Sequence, residues 1–255
     1  MFGWLRRRPA ARPIPQALWS TVLERHAFLA QRPAAELERL RQMAGEFLAT
    51  KEFHGAKGFV VTDEVALSIA AQAVLPVLNL GLSWYDDFVG IVVHADEVVA
   101  RRTAMDDAGV VHQWDEVISG EAMEGGPVML SWQDAAGTAP RGHEPYNVVI
   151  HEFIHKIDMR DGRADGCPPL APAARRAWLD LMQREYEAFR EKVVIAERFG
   201  GDRTWLDPYG AQAIDEFFAV ACEAYFVAPQ RFAAEHAALA SLFDSFFGKR
   251  RAVSA

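Results

Sequence analysis

Apolar residues recur at helical spacing in several stretches of the chain and crowd together at strand-like density in one. Leu18, Val22 and Leu29 mark a helix over 18–30. Leu37, Leu40, Phe47 and Leu48 mark another over 34–50, and Pro33 separates the two. Residues 51–58 read as a loop leading to a short apolar piece at Phe59-Val60-Val61, after which Thr62 or Asp63 can cap a helix running to Leu75. From Trp84 the pattern changes. Segments 88–94, 97–102, 110–114 and 128–132 are short, rich in β-formers and punctuated by Gly and Asp, which predicts a small sheet. Residues 134–142 read as a loop into an apolar helical stretch over 148–158, and the turn-rich run from Asp161 to Pro169 ends that helix. The remainder predicts a long amphipathic helix over 173–196, a loop over 200–209, a helix over 213–226 and a helical C-terminal segment carrying Phe232, Leu239 and Phe243. Helices, then strands, then helices give an α+β fold.

This order divides the 255 residues into a flexible basic arm at 1–15 and one domain over 16–250, with a helical part at 16–83 and a core at 84–250. Composition narrows the function classes. Hydrophobic residues make up 51% and charged residues 24%, the balance of a globular protein, and a net charge of −8 argues against direct nucleic-acid binding. Two cysteines, Cys167 and Cys222, form no disulfide framework and suit a reducing cytosol. The segment Met1 to Pro9 has the charge of a signal peptide without its apolar core, which argues against secretion. Val65 to Tyr85 carries no formal charge, yet Gln72, Pro76 and Asn79 interrupt it, so a buried helix is expected there and no membrane span. The expected location is the cytoplasm.

The chemistry lies in the 148–158 helix, which contains His151-Glu152-Phe153-Ile154-His155. Positions i and i+4 share one helix face, so His151 and His155 present two imidazoles to one metal ion. Glu152 follows the first of them, where a carboxylate can take a proton from water activated by the metal. The alternative is a core helix with both histidines bonded to backbone carbonyls; helix interiors seldom offer such carbonyls free.

Catalytic zinc usually has three protein ligands. No third histidine follows closely after His155, so the third ligand is expected from a separate helix, as a carboxylate. Glu216 is the first candidate, because it sits beside Phe217 and Phe218, where an unpaired carboxylate would be costly. Asp215 is its rival, although an early helix position also suits it to the positive helix end. Glu223, two turns on from Glu216, is a further alternative, otherwise assigned to support of the site or of the fold. Asp158 can hold a ligand histidine through its second ring nitrogen, cap the helix end, or bind Arg160 or Arg163. His94, His112 and His143 have no spacing that selects one of them, and neither cysteine has an identifiable activating partner.

The run His151-Glu152-x-x-His155-Lys156-x-Asp158, the following Ala164-Asp165-Gly166-Cys167-Pro168-Pro169, and Tyr209 with Glu216-Phe217-Phe218-Ala219-Val220 resemble the Mlc titration factor A (MtfA) family. So does Gly126-Pro127-Val128-Met129-Leu130-Ser131-Trp132, and the resemblance covers most of the chain. It implies a zincin-like (gluzincin) core related to the catalytic domain of anthrax lethal factor, with one Zn²⁺ per chain. It implies His151, His155 and Glu216 as zinc ligands, Glu152 as general base and a transition-state role for Tyr209. A phenol at that place can donate a hydrogen bond to the developing oxyanion. The resemblance also implies aminopeptidase activity on peptides and binding of a glucose-regulon repressor of the Mlc type.

Three functions follow for testing. One is a zinc-dependent peptidase, and the second is a regulatory protein that sequesters a transcriptional repressor with little or no catalysis. The third is a zinc hydrolase acting on another carbonyl. Val128 to Trp132 can pair with an extended substrate as an added strand or serve as plain sheet structure, and the second role is the one more expected.

Overall fold

The computed structural model describes residues 13–105, 111–137 and 145–248. Residues 1–12 of the expected arm, His143 and the last two positions of the expected domain lie outside the described residues, as do the side chains of 99–117, His112 among them.

The N-terminal part is helical: α1 (Gln16–Arg25), α2 (Ala27–Ala30), α3 (Ala34–Thr50) and, after strand β1 (Glu52–Gly55), α4 (Asp63–Ala73). Thr62 caps α4, its side-chain oxygen accepting from the Val65 amide. Strands β2 (Gly90–His94), β3 (Val98–Met105), β4 (Val111–Ile118), β5 (Gly120–Ala122) and β6 (Val128–Ser131) follow, and then the short helix α5 (Trp132–Ala135). Helices α6 (Val148–Asp158), α7 (Pro172–Phe199), α8 (Ile214–Val227), α9 (Pro229–Glu235) and α10 (Ala237–Phe247) complete the chain. The fold is mixed α+β.

Two differences from the sequence pattern bear on function. The strands form a four-stranded sheet in the order β1-β2-β6-β5 and a separate β3-β4 hairpin. Strand β1 occupies part of the stretch read as a loop, and it is held by parallel pairing with β2, a partner distant in sequence. The segment 128–132 does not offer a free edge: β6 is flanked by β2 in parallel and by β5 in antiparallel pairing. Among the described residues the open edge on this side belongs to β5.

Helix α6 lies against this sheet and against α8. Its back face is fixed by aromatic packing, with the Phe153 ring 5.0 Å from Tyr85, 5.7 Å from Phe47 and 5.9 Å from Phe88. Helix α8 is anchored likewise: Phe218 meets Trp178 at 5.6 Å and Phe243 at 5.7 Å. Rings of this size in offset or edge contact add rigidity beyond their buried area. The opposite faces of the two helices are thereby aimed at each other. No helix among the described residues is long and apolar enough to cross a membrane.

Candidate metal centre

Helix α6 begins at Asn147, whose side-chain oxygen accepts from the Ile150 amide at 2.9 Å and satisfies one of the free donors of the first turn. One turn further on, His151 and His155 project from the same face. His155 Nε2 lies 3.1 Å from His151 Nε2. Glu216 reaches them from the first turn of α8, its Oε2 2.9 Å from His151 Nε2 and 3.3 Å from His155 Nε2. Asp215 is not part of this group, which among the described residues consists of His151, His155 and Glu216.

The donor set fits a metal ion. Two imidazole nitrogens and a carboxylate oxygen converge with lone pairs directed at one another, an arrangement that needs a cation or protons between them. A tetrahedral ion with bonds of about 2.0–2.1 Å places its donors roughly 3.3 Å apart. The observed separations are 2.9, 3.1 and 3.3 Å.

Glu223 stands behind His151. Its Oε1 accepts from His151 Nδ1 at 2.8 Å, and its other oxygen accepts from the Asn147 amide. With Nδ1 committed as a donor, the Nε2 lone pair is left facing Glu216 and His155, the tautomer a metal requires. Burial opposes a charge on His151, but the carboxylates of Glu216 and Glu223 outweigh it and raise the imidazole well above its ordinary value. Burial likewise pushes Glu216 upward, while hydrogen bonds to the two histidines leave its carboxyl well below the usual range.

Asp158 does not approach these groups through its hydrogen bonds. It is fully buried, and its two oxygens accept from the amides of Gly166 at 2.9 Å and Cys167 at 2.8 Å. Of the three roles open to it, the structure favours the one nearest to capping: it ties the turn after α6 to the end of that helix. Gly166, at φ +71°, packs so closely on α8 that a β-carbon there would lie 2.8 Å from the Ile214 carbonyl oxygen. The Asp165-Gly166-Cys167 turn therefore sets the spacing of the two helices that carry the donors.

Glu152 is only 5% exposed. Burial raises its pKa; the neighbouring histidines counter this, and Glu216 and Glu223 reinforce it. Its carboxylate lies against the bare α-carbon of Gly120 on β5, where a β-carbon would come within 2.5 Å of Glu152 Oε1. Gly120 is a site residue that the sequence pattern does not single out; its one signal is a Ser119-Gly120 pair closing a strand. Lys156 steadies the same strand from below. Its buried ammonium donates to the carbonyls of Met123 at 2.7 Å and Gly126 at 3.2 Å in the β5–β6 turn.

Tyr209 arrives on a short turn over Pro208–Ala211 started by Asp207, whose Oδ1 accepts from the Tyr209 amide at 3.0 Å. The Tyr209 ring is centred 5.9 Å from that of His151, and the residue is 39% exposed. A cavity of about 230 Å³ opens here, walled by His151, Glu152, Tyr209, Gly120, Asp207 and apolar side chains. His94 lies outside this wall, and Cys167 and Cys222 are free and buried.

Comparison with known proteins agrees with this geometry. A family model described as Glucose-regulated metallo-peptidase M90 matches residues 2–248. The uncharacterized protein slr2042 of Synechocystis sp. is 32% identical over 247 residues, 96% of this chain and 88% of that protein. The Mlc titration factor A proteins of Yersinia pestis and Yersinia pseudotuberculosis are each 29% identical over 245 residues, again 96% of this chain and 88% of theirs.

Proposed function

The chain belongs to the glucose-regulated metallo-peptidase M90 family, and from that premise we propose that it is a zinc-dependent aminopeptidase with His151, His155 and Glu216 as the metal ligands. The observation that carries this reading is the convergence of those three donors beside a buried carboxylate, Glu152. Zinc is preferred to harder cations because two of the three donors are imidazoles. The opposed α6 and α8, with an antiparallel edge strand alongside, support a zincin-like core.

When bound, such an ion acidifies water and polarises the scissile carbonyl. The residues of the chain supply the rest. Glu152 takes the proton of the attacking water and then hands it to the leaving amine. Tyr209 stands at the mouth of the site to donate to the developing oxyanion. Glu223 keeps His151 in its working tautomer and orientation. The open edge of β5 can pair with an extended peptide and align it over Glu152. The free, buried cysteines support a cytoplasmic setting.

The test is elemental analysis of the purified wild type and Glu216→Ala, with hydrolysis of amino-acid anilides assayed in parallel. About one zinc per chain and chelator-sensitive hydrolysis are expected in the wild type. Both should be lost in the variant. Zinc retained by Glu216→Ala would remove that residue from the ligand set.

A second function rests on the name borne by the Yersinia relatives, Mlc titration factor A. It is the binding of an Mlc-type repressor protein. Glu152→Gln separates the two: hydrolysis should fall at least a hundredfold, whereas repressor binding measured by calorimetry should be unchanged.

A further inference from the structure

We propose that Asp207 is a specificity-determining residue: its carboxylate binds the α-ammonium group of the substrate's first residue. The inference rests on the aminopeptidase reading above and adds the group that would make the site an exopeptidase.

An enzyme that removes N-terminal residues must recognise a positive charge close to the scissile bond. The natural partner is a carboxylate, through a charge-assisted hydrogen bond. Among the described residues three carboxylates line the cavity beside His151: Glu152, Glu223 and Asp207. Glu152 is assigned to proton transfer. Glu223 is fully engaged, one oxygen on His151 Nδ1 and the other on the Asn147 amide. Asp207 uses only Oδ1, on the Tyr209 amide, in the hydrogen bonds of the described residues. Its second oxygen remains for a ligand.

Asp207 is also well placed. It begins the turn that carries Tyr209, so the same backbone fixes the ammonium partner and the phenol relative to each other. Among the described residues no lysine or arginine lines the cavity to compete with a substrate ammonium or to favour a terminal carboxylate instead. The cavity is small as well. At about 230 Å³ it lies below the range of sites for drug-sized ligands, and Ile118, Val148 and Val220 give part of its wall an apolar face. An ammonium-binding carboxylate in the wall of a cavity this small selects a short N-terminal residue.

The experiment compares L-alanine anilide with its N-acetyl derivative as substrates of zinc-loaded wild type and Asp207→Asn. In parallel, calorimetry measures binding of L-alaninamide and N-acetyl-L-alaninamide to both proteins. The carboxamide of Asp207→Asn keeps an oxygen to accept from the Tyr209 amide, so the turn is preserved. Asp207→Ser, which retains a capping oxygen without the charge, serves if the first variant does not fold. The wild type should prefer the free amine in both assays. The variant should lose about tenfold of that preference, through KM and Kd rather than kcat, as expected for a charged hydrogen bond. A wild type that prefers the free amine and a variant that keeps the preference would overturn the role of Asp207 while leaving the aminopeptidase reading intact. Equal treatment of free and acetylated substrates by the wild type would overturn both.

Discussion

Gly120 and Glu152 touch across the gap between an edge strand and the metal helix, and the absence of one side chain fixes the place of the other. The three atoms nearest to a β-carbon at position 120 all belong to the Glu152 side chain, between 2.5 and 2.8 Å away. The flexible carboxylate would give way and the fold would not. Gly120→Ala should therefore melt within a few degrees of the wild type and bind metal normally. Its kcat should drop roughly 10- to 100-fold, the effect of a base displaced by about an ångström. Paired differential scanning calorimetry, elemental analysis and anilide kinetics check this; an unchanged kcat would remove Glu152 from proton transfer or Gly120 from its support. The histidines and Glu152 were legible in the sequence because their spacing is local and helical. Glu216 was legible because a carboxylate beside Phe217 and Phe218 demands a partner. Gly120 was not, since its necessity comes from a contact made by the tertiary fold. The partners of Asp158 were equally hidden, because backbone amides leave no mark on residue identity.

At the scale of elements, α3 spans the expected 34–50 and α8 lies within a residue of each expected end, whereas the one helix expected over 18–30 is two, α1 and α2, broken at His26. The sheet was less legible. Strands β1 and β5 are short (4 and 3 residues) and show too little alternation to be read, and parallel pairing of β1, β2 and β6 joins segments separated along the chain. What brings the two donor-bearing helices to their working distance is the turn between α6 and α7. Asp158 gathers its amides, Trp178 Nε1 donates to the Gly166 carbonyl at 2.7 Å, and Gly166 rests on the first residue of α8. Alanine at 166 must adopt φ +71° and meet a backbone oxygen at 2.8 Å, neither of which can relax cheaply. Gly166→Ala should lose about 1–3 kcal/mol of stability. It should also bind zinc more weakly, because α8 must shift and Glu216 with it. Urea denaturation and a competitive zinc titration read the two effects; a stability loss with zinc affinity unchanged would show that the turn does not set the helix spacing.

Across the whole molecule a file of polar groups crosses the apolar core, which runs without a break from Trp19 to Phe247. His26 Nε2 lies 2.7 Å from Ser68 Oγ and 3.3 Å from Gln72 Nε2; Gln72 Oε1 accepts from Asn147 Nδ2 at 2.8 Å. The Asn147 amide continues to Glu223 and so to His151. The N-terminal helices are thus bonded into the support of the metal centre. This arrangement makes stability depend on pH in a definite direction. Burial first, and the charge of Arg25 second, hold the His26 imidazole at about 4, below its ordinary 6.5. The unfolded chain therefore takes up a proton there before the folded one does. The stability His26 contributes is complete above pH 6.5 and is lost as pH falls through about 4, a change of about 3 kcal/mol. Asp158 acts with the opposite sign. Burial raises it to about 6 from 3.8, against the bonds from Gly166 and Cys167, so acidification across that window favours the folded state. The two contributions oppose each other in the wild type, and a comparison with His26→Gln separates them, because glutamine can still bond to Ser68 but cannot titrate. The unfolding free energy of wild type minus variant should fall by about 3 kcal/mol between pH 7 and pH 4. Urea melts at each pH measure it. A difference that stays constant with pH would mean that His26 takes up its proton as readily in the folded as in the unfolded chain, so that below pH 6.5 the polar file carries a charge into the core.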